Sequence, residues 1–267
     1  MAYQLTPDQL KSNYDKLLSL IDETFPSRPN LRKVYEAYEE RLVFQPASGF
    51  DYFHNAFPGG YCDHVLRVIQ YSKYVYKLYE KLGLDVTTFT LEELLFAALN
   101  HDLGKMGFPV DNGEGYIAND SDWHKKNQGR LYKSNESTPY ATVPDLSLYI
   151  LQKYGVAMSW NEYHAIKIHD GMYDDGNKSY LTSFSASNKL RSSIAIVLHQ
   201  ADMMASRFEW ERWNKTVTHS ESNQKISTES LVEWDVNKNP EVNLMNSGFA
   251  TAAPKTKESE FDDIFNN

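Results

Sequence analysis

The sequence contains a single cysteine, Cys62, among 267 residues. One cysteine cannot form an intrachain disulfide, and it excludes both a disulfide scaffold and a zinc finger. The shortage of cysteine is typical of a reducing compartment. The sequence also lacks the run of roughly 18–20 apolar residues that a membrane span needs, and its first ten residues show no basic-then-apolar signal pattern. We therefore expect a cytoplasmic protein.

Acidic residues outnumber basic residues in this sequence. Lys and Arg together number 27 against 36 Asp and Glu, so the net charge is −9. Broad, unspecific binding to duplex nucleic acid needs a basic face, and this balance argues against one. A local basic pocket is still compatible with it. The length suits one sizeable domain that can bury its own hydrophobic core.

Helical periodicity and helix capping signals dominate what the sequence does contain. Capping boxes open predicted helices at Thr6, Thr90 and Ser159. Apolar residues at helical spacing predict a second helix over 31–44 and a last strong helix over 187–213. There is no internal repeat and no alternating pattern that would indicate strands. The sequence predicts an all-α fold.

Two segments depart from the helical pattern. Residues 107–142 are rich in Gly, Asn, Asp, Ser and Lys, so we expect a long loop or a loosely ordered insert, and such a loop is usually functional. Residues 215–267 hold five Lys against nine acids and lack sustained periodicity. Such a segment cannot bury enough apolar surface to offset its ordering entropy. The expected organisation is a domain over 1–214 followed by a disordered acidic tail.

Histidine and aspartate are adjacent at the predicted end of an apolar helix, in His101 and Asp102. Imidazole and carboxylate together suit borderline or hard divalent ions such as Mn, Fe, Ni, Zn or Mg. Taken alone, such a pair is more often a capping or surface pair. Its surroundings, AALNHDLGK at 97–105, resemble the signature of the HD superfamily of metal-dependent phosphohydrolases.

The HD pattern comprises a histidine, then the His-Asp pair, then a distant aspartate, all on helices. In this chain the first would be His64, within FPGGYCDHVLRV at 57–68, and the last would be Asp202, within VLHQADMMA at 197–205. The resemblance covers roughly residues 50–212. It implies a divalent metal ion that acidifies water and polarises a phosphoryl group. The implied ligands are His64, His101, Asp102 and Asp202.

A second metal is a further possibility, because some HD families add two histidine ligands. The segment EYHAIKIHDG at 162–171 resembles the one that carries the second of these, which would be His169. Where the family has the first, this chain has Asp145, within VPDLS at 143–147. His124, in the insert, is a rival ligand.

Several basic residues are placed to contact a substrate phosphate. Lys105 follows the His-Asp turn, and we assign it a catalytic role with Asp102 in stabilising developing charge. The densest basic run lies beside His124 and would clamp phosphates if the insert folds over the site. The predicted phosphate contacts are Lys125, Lys126, Arg130 and Arg67. His199, three residues before Asp202, would orient a ligand from behind.

The residues and the resemblance together predict a phosphohydrolase that cleaves a phosphate ester or anhydride with metal-activated water, with a nucleotide as the favoured substrate. Three alternatives stay open. One is a 3′–5′ exonuclease, because HNAFPGG at 54–60 resembles part of HD-type bacterial exoribonucleases. Another is a cyclic-nucleotide phosphodiesterase, although GMYD at 171–174 replaces the Gly-Tyr-Pro signature of the cyclic-dinucleotide branch. The third is a catalytically silent adaptor that works through its tail.

The last ten residues, ESEFDDIFNN, combine acids with three large apolar side chains. Phe261, Ile264 and Phe265 have i, i+3, i+4 spacing, so one helical turn would place them on one face. The segment loosely resembles the acidic, aromatic-ended tails of single-stranded DNA-binding proteins and the C-terminal peptides that engage sliding clamps. It predicts a protein partner that docks these side chains. The alternative is an acidic tail that only aids solubility.

Overall fold

The structure is a computed structural model that describes the backbone of residues 4–221 and the side chains of residues 4–216. Of the described residues, 60% lie in helices and 4% in strands, so the prediction of a mostly helical single domain is confirmed. None of the described helices is long and apolar enough to cross a membrane. The α-helices are α1 Pro7–Thr24, α2 Pro29–Ala37, α3 Glu39–Phe44, α4 Gly60–Lys81, α5 Leu91–Asn100, α6 Asp122–Gln128, α7 Val143–Lys153, α8 Trp160–Lys167, α9 Lys178–Leu181 and α10 Ile194–Glu221. Short 3-10 helices cover Leu103–Met106, Gly171–Tyr173 and Asp175–Asn177.

Local capping chemistry sets where three of these helices begin. The side chains of Thr6, Thr90 and Ser159 each accept a hydrogen bond from the backbone three residues later, and the Gln or Glu there returns one. The three predicted capping boxes are therefore confirmed. The predicted single helix over 31–44 is wrong, because the chain leaves helical geometry at Tyr38 (φ −109°, ψ 16°) and forms α2 and α3. This break buries the Tyr38 ring in the core.

The core surrounds α5. Every residue of α5 from Leu94 to Asn100 is buried, and a helix that is buried on all sides lies at the centre of its domain. Helix α4 packs against α5, α10, α1 and α3. Because α5 runs through the core, the residues that follow it, His101 and Asp102, come to lie deep in the molecule.

The segment 107–142 is ordered, so the expectation of a loosely ordered insert is wrong. Strand β1 (Tyr116–Ala118) pairs antiparallel with strand β2 (Tyr132–Ser134), and α6 connects them. Ser121 caps α6 and Gly129, in the left-handed region, ends it. The Arg41 guanidinium holds the start of the segment by donating to the carbonyls of Met106, Phe108 and Val110. Strands of three residues are too short to give a recognisable periodicity.

The last described helix differs at both ends from the predicted 187–213. It begins at Ile194, after a turn that spans residues 185–193, and it continues to Glu221, past the expected start of the tail at 215. The rest of the tail, including Phe261, Ile264 and Phe265, lies outside the described residues.

Candidate metal centre

Potential metal ligands from separate parts of the fold converge at the end of α5. Helix α4 supplies His64, the end of α5 supplies His101 and Asp102, the residue pair after α8 supplies His169, and α10 supplies Asp202. Among the described residues, three groups have ligand atoms that lie within 4.8 Å of one another. Two of them contain the expected ligands and are His64, His101 and Asp202, and His101, Asp102 and His169. The third, His54, His64 and Glu209, lies behind His64. The protein thus contains a buried His/Asp cluster that could hold a metal ion.

Asp102 lies in the middle of the cluster. Its Oδ2 is 3.4 Å from His101 Nε2 and 3.7 Å from His64 Nε2, and its Oδ1 is 3.6 Å from His169 Nε2. Asp202 Oδ1 approaches His64 Nε2 at 3.2 Å. The three imidazoles therefore present the same nitrogen, Nε2, to two carboxylates.

The opposite nitrogen, Nδ1, of each histidine is fixed by the fold. His101 Nδ1 bonds the carbonyl of Ala98 at 2.9 Å, and His169 Nδ1 bonds the carbonyl of Ile166 at 2.9 Å. His64 Nδ1 lies 3.1 Å from the carboxylate of Glu209. Within the described residues, the buried Nε2 atoms of His64 and His101 have no hydrogen-bond partner. An unsatisfied buried nitrogen is unfavourable, and a bound cation would satisfy both.

The two ligand groups share His101, so the number of ions that they could hold depends on how many nitrogens of His101 are free. Because Nδ1 of His101 is engaged by Ala98, only Nε2 is free. One imidazole nitrogen binds one ion, so the two groups could hold one shared ion with up to five ligands. Three nitrogens and two carboxylates fit a divalent ion of borderline character.

The side chains expected around a second metal are not brought together. His169 lies in the cluster just described. The Asp145 carboxylate pairs with Lys167 Nζ at 2.5 Å and is half exposed. His124 lies on α6 with its ring against Trp123. Among the described residues, no group of potential ligands contains Asp145 or His124.

The charges of the cluster shift its pKa values strongly. Burial lowers the pKa of His64, but Glu209 and Asp202 outweigh it and raise the value to about 10. Burial likewise lowers the pKa of His169, and Asp102 and Asp170 raise it to about 9. Burial raises the pKa of Asp102, yet Lys105 and His101 bring it well below its usual range. When no ion is bound, these shifts favour protonated His64 and His169, whose positive charges offset those of the carboxylates.

Lys105 lies at the edge of the cluster. Its Nζ is 2.5 Å from Asp102 Oδ2, and the side chain is mostly buried. Burial lowers the pKa of Lys105, but the Asp102 carboxylate raises it above its ordinary value. The ammonium is therefore a fixed positive charge beside the potential ligands.

Glu209 is a site residue that sequence reasoning missed. It is 1% exposed and fixes His64 from behind. The signal was present: Glu209 follows Asp202 by seven residues, two helical turns, and so lies on the same face of α10. Arg67, whose role as a phosphate contact stays a prediction, places its guanidinium 3.4 Å from Glu209 and 3.0 Å from Asp63. Its charge supports the carboxylates behind His64.

Two side chains outside the ligand set, Ser147 and His199, hold the backbone next to the potential ligands, and only the role of His199 was predicted. Ser147, which sequence reasoning missed, accepts from the backbone N–H of Gly104 and donates to the carbonyl of His101. His199 Nδ1 donates to the carbonyl of His169 at 2.8 Å, a contact of the orienting kind expected for it. Gly171 follows this turn at φ +58°.

The basic residues of the insert have contacts outside the cluster. Lys125 pairs with Asp122 at 3.3 Å, and the Arg130 guanidinium lies 5.8 Å from the Phe50 ring centroid. Lys125 and Lys126 line a surface cleft. Their role as phosphate contacts stays a prediction.

Comparisons of the chain with protein-family models, with curated proteins and with solved structures gave no match. The interpretation of the cluster therefore depends on the chain's own residues.

Proposed function

We propose that the protein is a metal-dependent phosphohydrolase with a nucleotide as its favoured substrate. The observation that carries the proposal is the convergence of the imidazole Nε2 atoms of His64 and His101 on the carboxylates of Asp102 and Asp202 in one buried cluster. Such an arrangement is unfavourable in a purely structural core. The same four residues are those that the HD resemblance implies as ligands.

A divalent ion, when bound, supplies an acidified water and a polarised phosphoryl group. The residues that would hold it are His64, His101, Asp102, His169 and Asp202. The mixed nitrogen and oxygen donors favour Mn, Fe, Ni or Zn over Mg, which prefers oxygen ligands alone. Lys105 would neutralise charge on a phosphate oxygen, since its ammonium is already fixed beside Asp102.

An adaptor without catalytic activity is a competing interpretation of a different class, and the intact ligand set disfavours it. A protein that only docks partners has no need for imidazoles and carboxylates that converge from separate helices in a buried cluster. A cyclic-nucleotide phosphodiesterase and an exonuclease share the proposed chemistry and differ in substrate, so a substrate screen separates them.

The test combines metal binding with turnover. Protein stripped with a chelator is titrated with Mn²⁺ by calorimetry, and then assayed on bis-p-nitrophenyl phosphate, nucleoside mono-, di- and triphosphates, cyclic nucleotides and a single-stranded oligonucleotide. We expect one Mn²⁺ per chain and hydrolysis that a chelator abolishes. His101→Ala should remove both. His164→Ala, on α8 outside the cluster, should leave both intact.

Two results would overturn the proposal. One is hydrolysis at the same rate with and without chelator. The other is a His101→Ala protein that binds Mn²⁺ as tightly as the His164→Ala protein does.

A further inference from the structure

An open cleft of about 630 Å³ lies between residues 50–52, α6 and the last part of α10. We name it the α6 cleft. Its lining includes Phe50, Tyr52, Lys125, Lys126 and Trp213. The volume is in the range of sites that enclose a nucleotide-sized ligand, and the metal centre uses none of these residues.

The side chains of the α6 cleft combine positive charge with aromatic surface. The only described ion-pair partner of Lys125 is Asp122, which is itself almost fully exposed, and Lys126 has none among the described residues. Among the aromatic residues of the lining, Tyr52 is 41% exposed, and Phe50 and Trp213 are partly exposed. Aromatic platforms beside lysines bind nucleic acid bases by stacking and phosphates by charge.

The α6 cleft is connected to the metal centre by one short segment. Tyr52 lines the cleft, and His54, two residues later, has its ring centroid 4.9 Å from that of His64. Two residues span at most about 7 Å. His54 Nε2 is buried without a hydrogen-bond partner among the described residues. The segment 52–54 therefore joins the lining of the cleft to the surroundings of His64.

We propose that the α6 cleft binds single-stranded nucleic acid. A strand is favoured over a single nucleotide because three aromatic residues, Phe50, Tyr52 and Trp213, line the cleft, and one base needs only one platform. Asp51 is the acidic residue among those that line the cleft, and its negative charge would repel a phosphate there. Binding of the strand stands independently of any metal, whereas its hydrolysis at the cluster rests on the proposed function.

The first test measures binding without metal. The affinity of the chelator-treated full chain for a fluorescein-labelled 12-nucleotide oligo-dT is measured by anisotropy over a series of salt concentrations. Lys125→Ala/Lys126→Ala should weaken binding on the order of tenfold and reduce the salt slope by about 1.4, roughly 0.7 per lost phosphate contact. Lys81→Ala/Lys153→Ala removes the same charge from exposed positions outside the cleft and should change little. Asp51→Asn should tighten binding.

The second test measures stacking. Trp213→Ala should weaken binding on the order of tenfold, while Trp213→Phe, which keeps a ring, should retain most of it. Circular dichroism and thermal melting establish that both variants fold. If Trp213→Ala does not fold, Trp213→Leu replaces it in the comparison with Trp213→Phe. Both side chains keep apolar volume and only Phe keeps a ring, so weaker binding by Trp213→Leu than by Trp213→Phe would indicate stacking.

Three outcomes would overturn the proposal: no binding of the oligonucleotide at low salt, equal weakening by both double-lysine variants, or competition by thymidine monophosphate as effective as competition by unlabelled 12-mer. Failure of the proposed function is separate. It would appear as an unaltered chain that does not bind Mn²⁺ or does not hydrolyse bis-p-nitrophenyl phosphate, and it does not depend on whether the oligonucleotide binds.

Discussion

The three histidines of the cluster differ in what holds their far nitrogen. His101 and His169 bond main-chain carbonyls, whereas His64 has the buried carboxylate of Glu209. A carboxylate makes an imidazole a more basic ligand than a carbonyl does. His64 should therefore be the histidine whose affinity for metal depends most on its support.

Glu209→Gln tests that support. Glutamine keeps the volume but removes the charge, so His64 loses basicity, and we expect Mn²⁺ affinity to fall roughly 10- to 100-fold. Glu211→Gln, two residues along α10 and 51% exposed beside Arg207, is the matched control and should bind as the unaltered chain does. Calorimetry measures both. Equal affinities for the two variants would contradict a role for Glu209 in the centre.

The histidine pKa values predict how the metal-free protein responds to pH. His64 and His169 have pKa values of about 10 and about 9 in the fold, against about 6.5 in an unfolded chain. A group whose pKa is raised by folding stabilises the fold fully below pH ~6.5 and loses that contribution as pH rises to about 9–10. The melting temperature of the metal-free protein should therefore fall across this window.

Scanning calorimetry of the metal-free protein between pH 6.5 and 10 measures this fall. The reference is His64→Gln/His169→Gln, in which the fall should be smaller because neither group titrates. Mn²⁺ affinity should change in the opposite direction and rise with pH, since the ion displaces protons. A melting temperature with the same pH dependence in both proteins would contradict the assignment.

At the scale of elements, tight turns position the ligands that helices deliver. His169 lies between the end of α8 and Gly171, which has a positive φ of 58°. A Cβ at Gly171 would lie 2.5 Å from the His199 ring, the ring that bonds the carbonyl of His169. Glycine is needed here both for conformation and for close approach.

Gly171→Ala should therefore lower the free energy of unfolding by more than the backbone strain alone would. Gly83→Ala is the control, because Gly83 also has a positive φ, 75°, but open space around its Cβ position. We expect about 1 kcal/mol of destabilisation for Gly83→Ala from the left-handed backbone, and more for Gly171→Ala together with weaker Mn²⁺ binding. Urea denaturation and calorimetry measure the two effects. Equal destabilisation with unchanged Mn²⁺ affinity would show that the turn does not position His169.

The elements that sequence reasoning recovered are those with strong local signals. The capping boxes at Thr6, Thr90 and Ser159 predict helix starts because cap and helix lie within four residues. The hairpin of β1 and β2 escaped, because its strands are short and it is held by distant contacts: Gln45 donates to the carbonyl of Tyr116, and the carbonyl of Gly49 accepts from the backbone N–H of Tyr132. Ser147 escaped for the same reason: its partners lie more than forty residues away.

At the scale of the whole molecule, the candidate centre depends on the completed fold. Its ligands lie between residues 64 and 202 along the chain, and Glu209 extends the set. No single helix carries more than a part of it. An ion that binds only the folded chain should therefore stabilise the entire domain, by about 2.7 kcal/mol at one hundred times its dissociation constant. For a domain of this size, that corresponds to a rise in melting temperature of roughly 5–10 °C.

Truncation tests whether the described residues suffice for this stabilisation. The described residues belong to one compact unit, and they contain the ligands, Glu209 and the α6 cleft. A chain that ends at Glu221 should therefore bind Mn²⁺ with unchanged affinity and show the same metal-induced rise in melting temperature. A chain that ends at Arg207 keeps every ligand but loses Glu209, so its affinity should fall at least as far as that of Glu209→Gln. If the chain ending at Glu221 loses the metal-induced rise, residues beyond 221 contribute to the centre, and the assignment of a self-contained site within 64–209 is wrong.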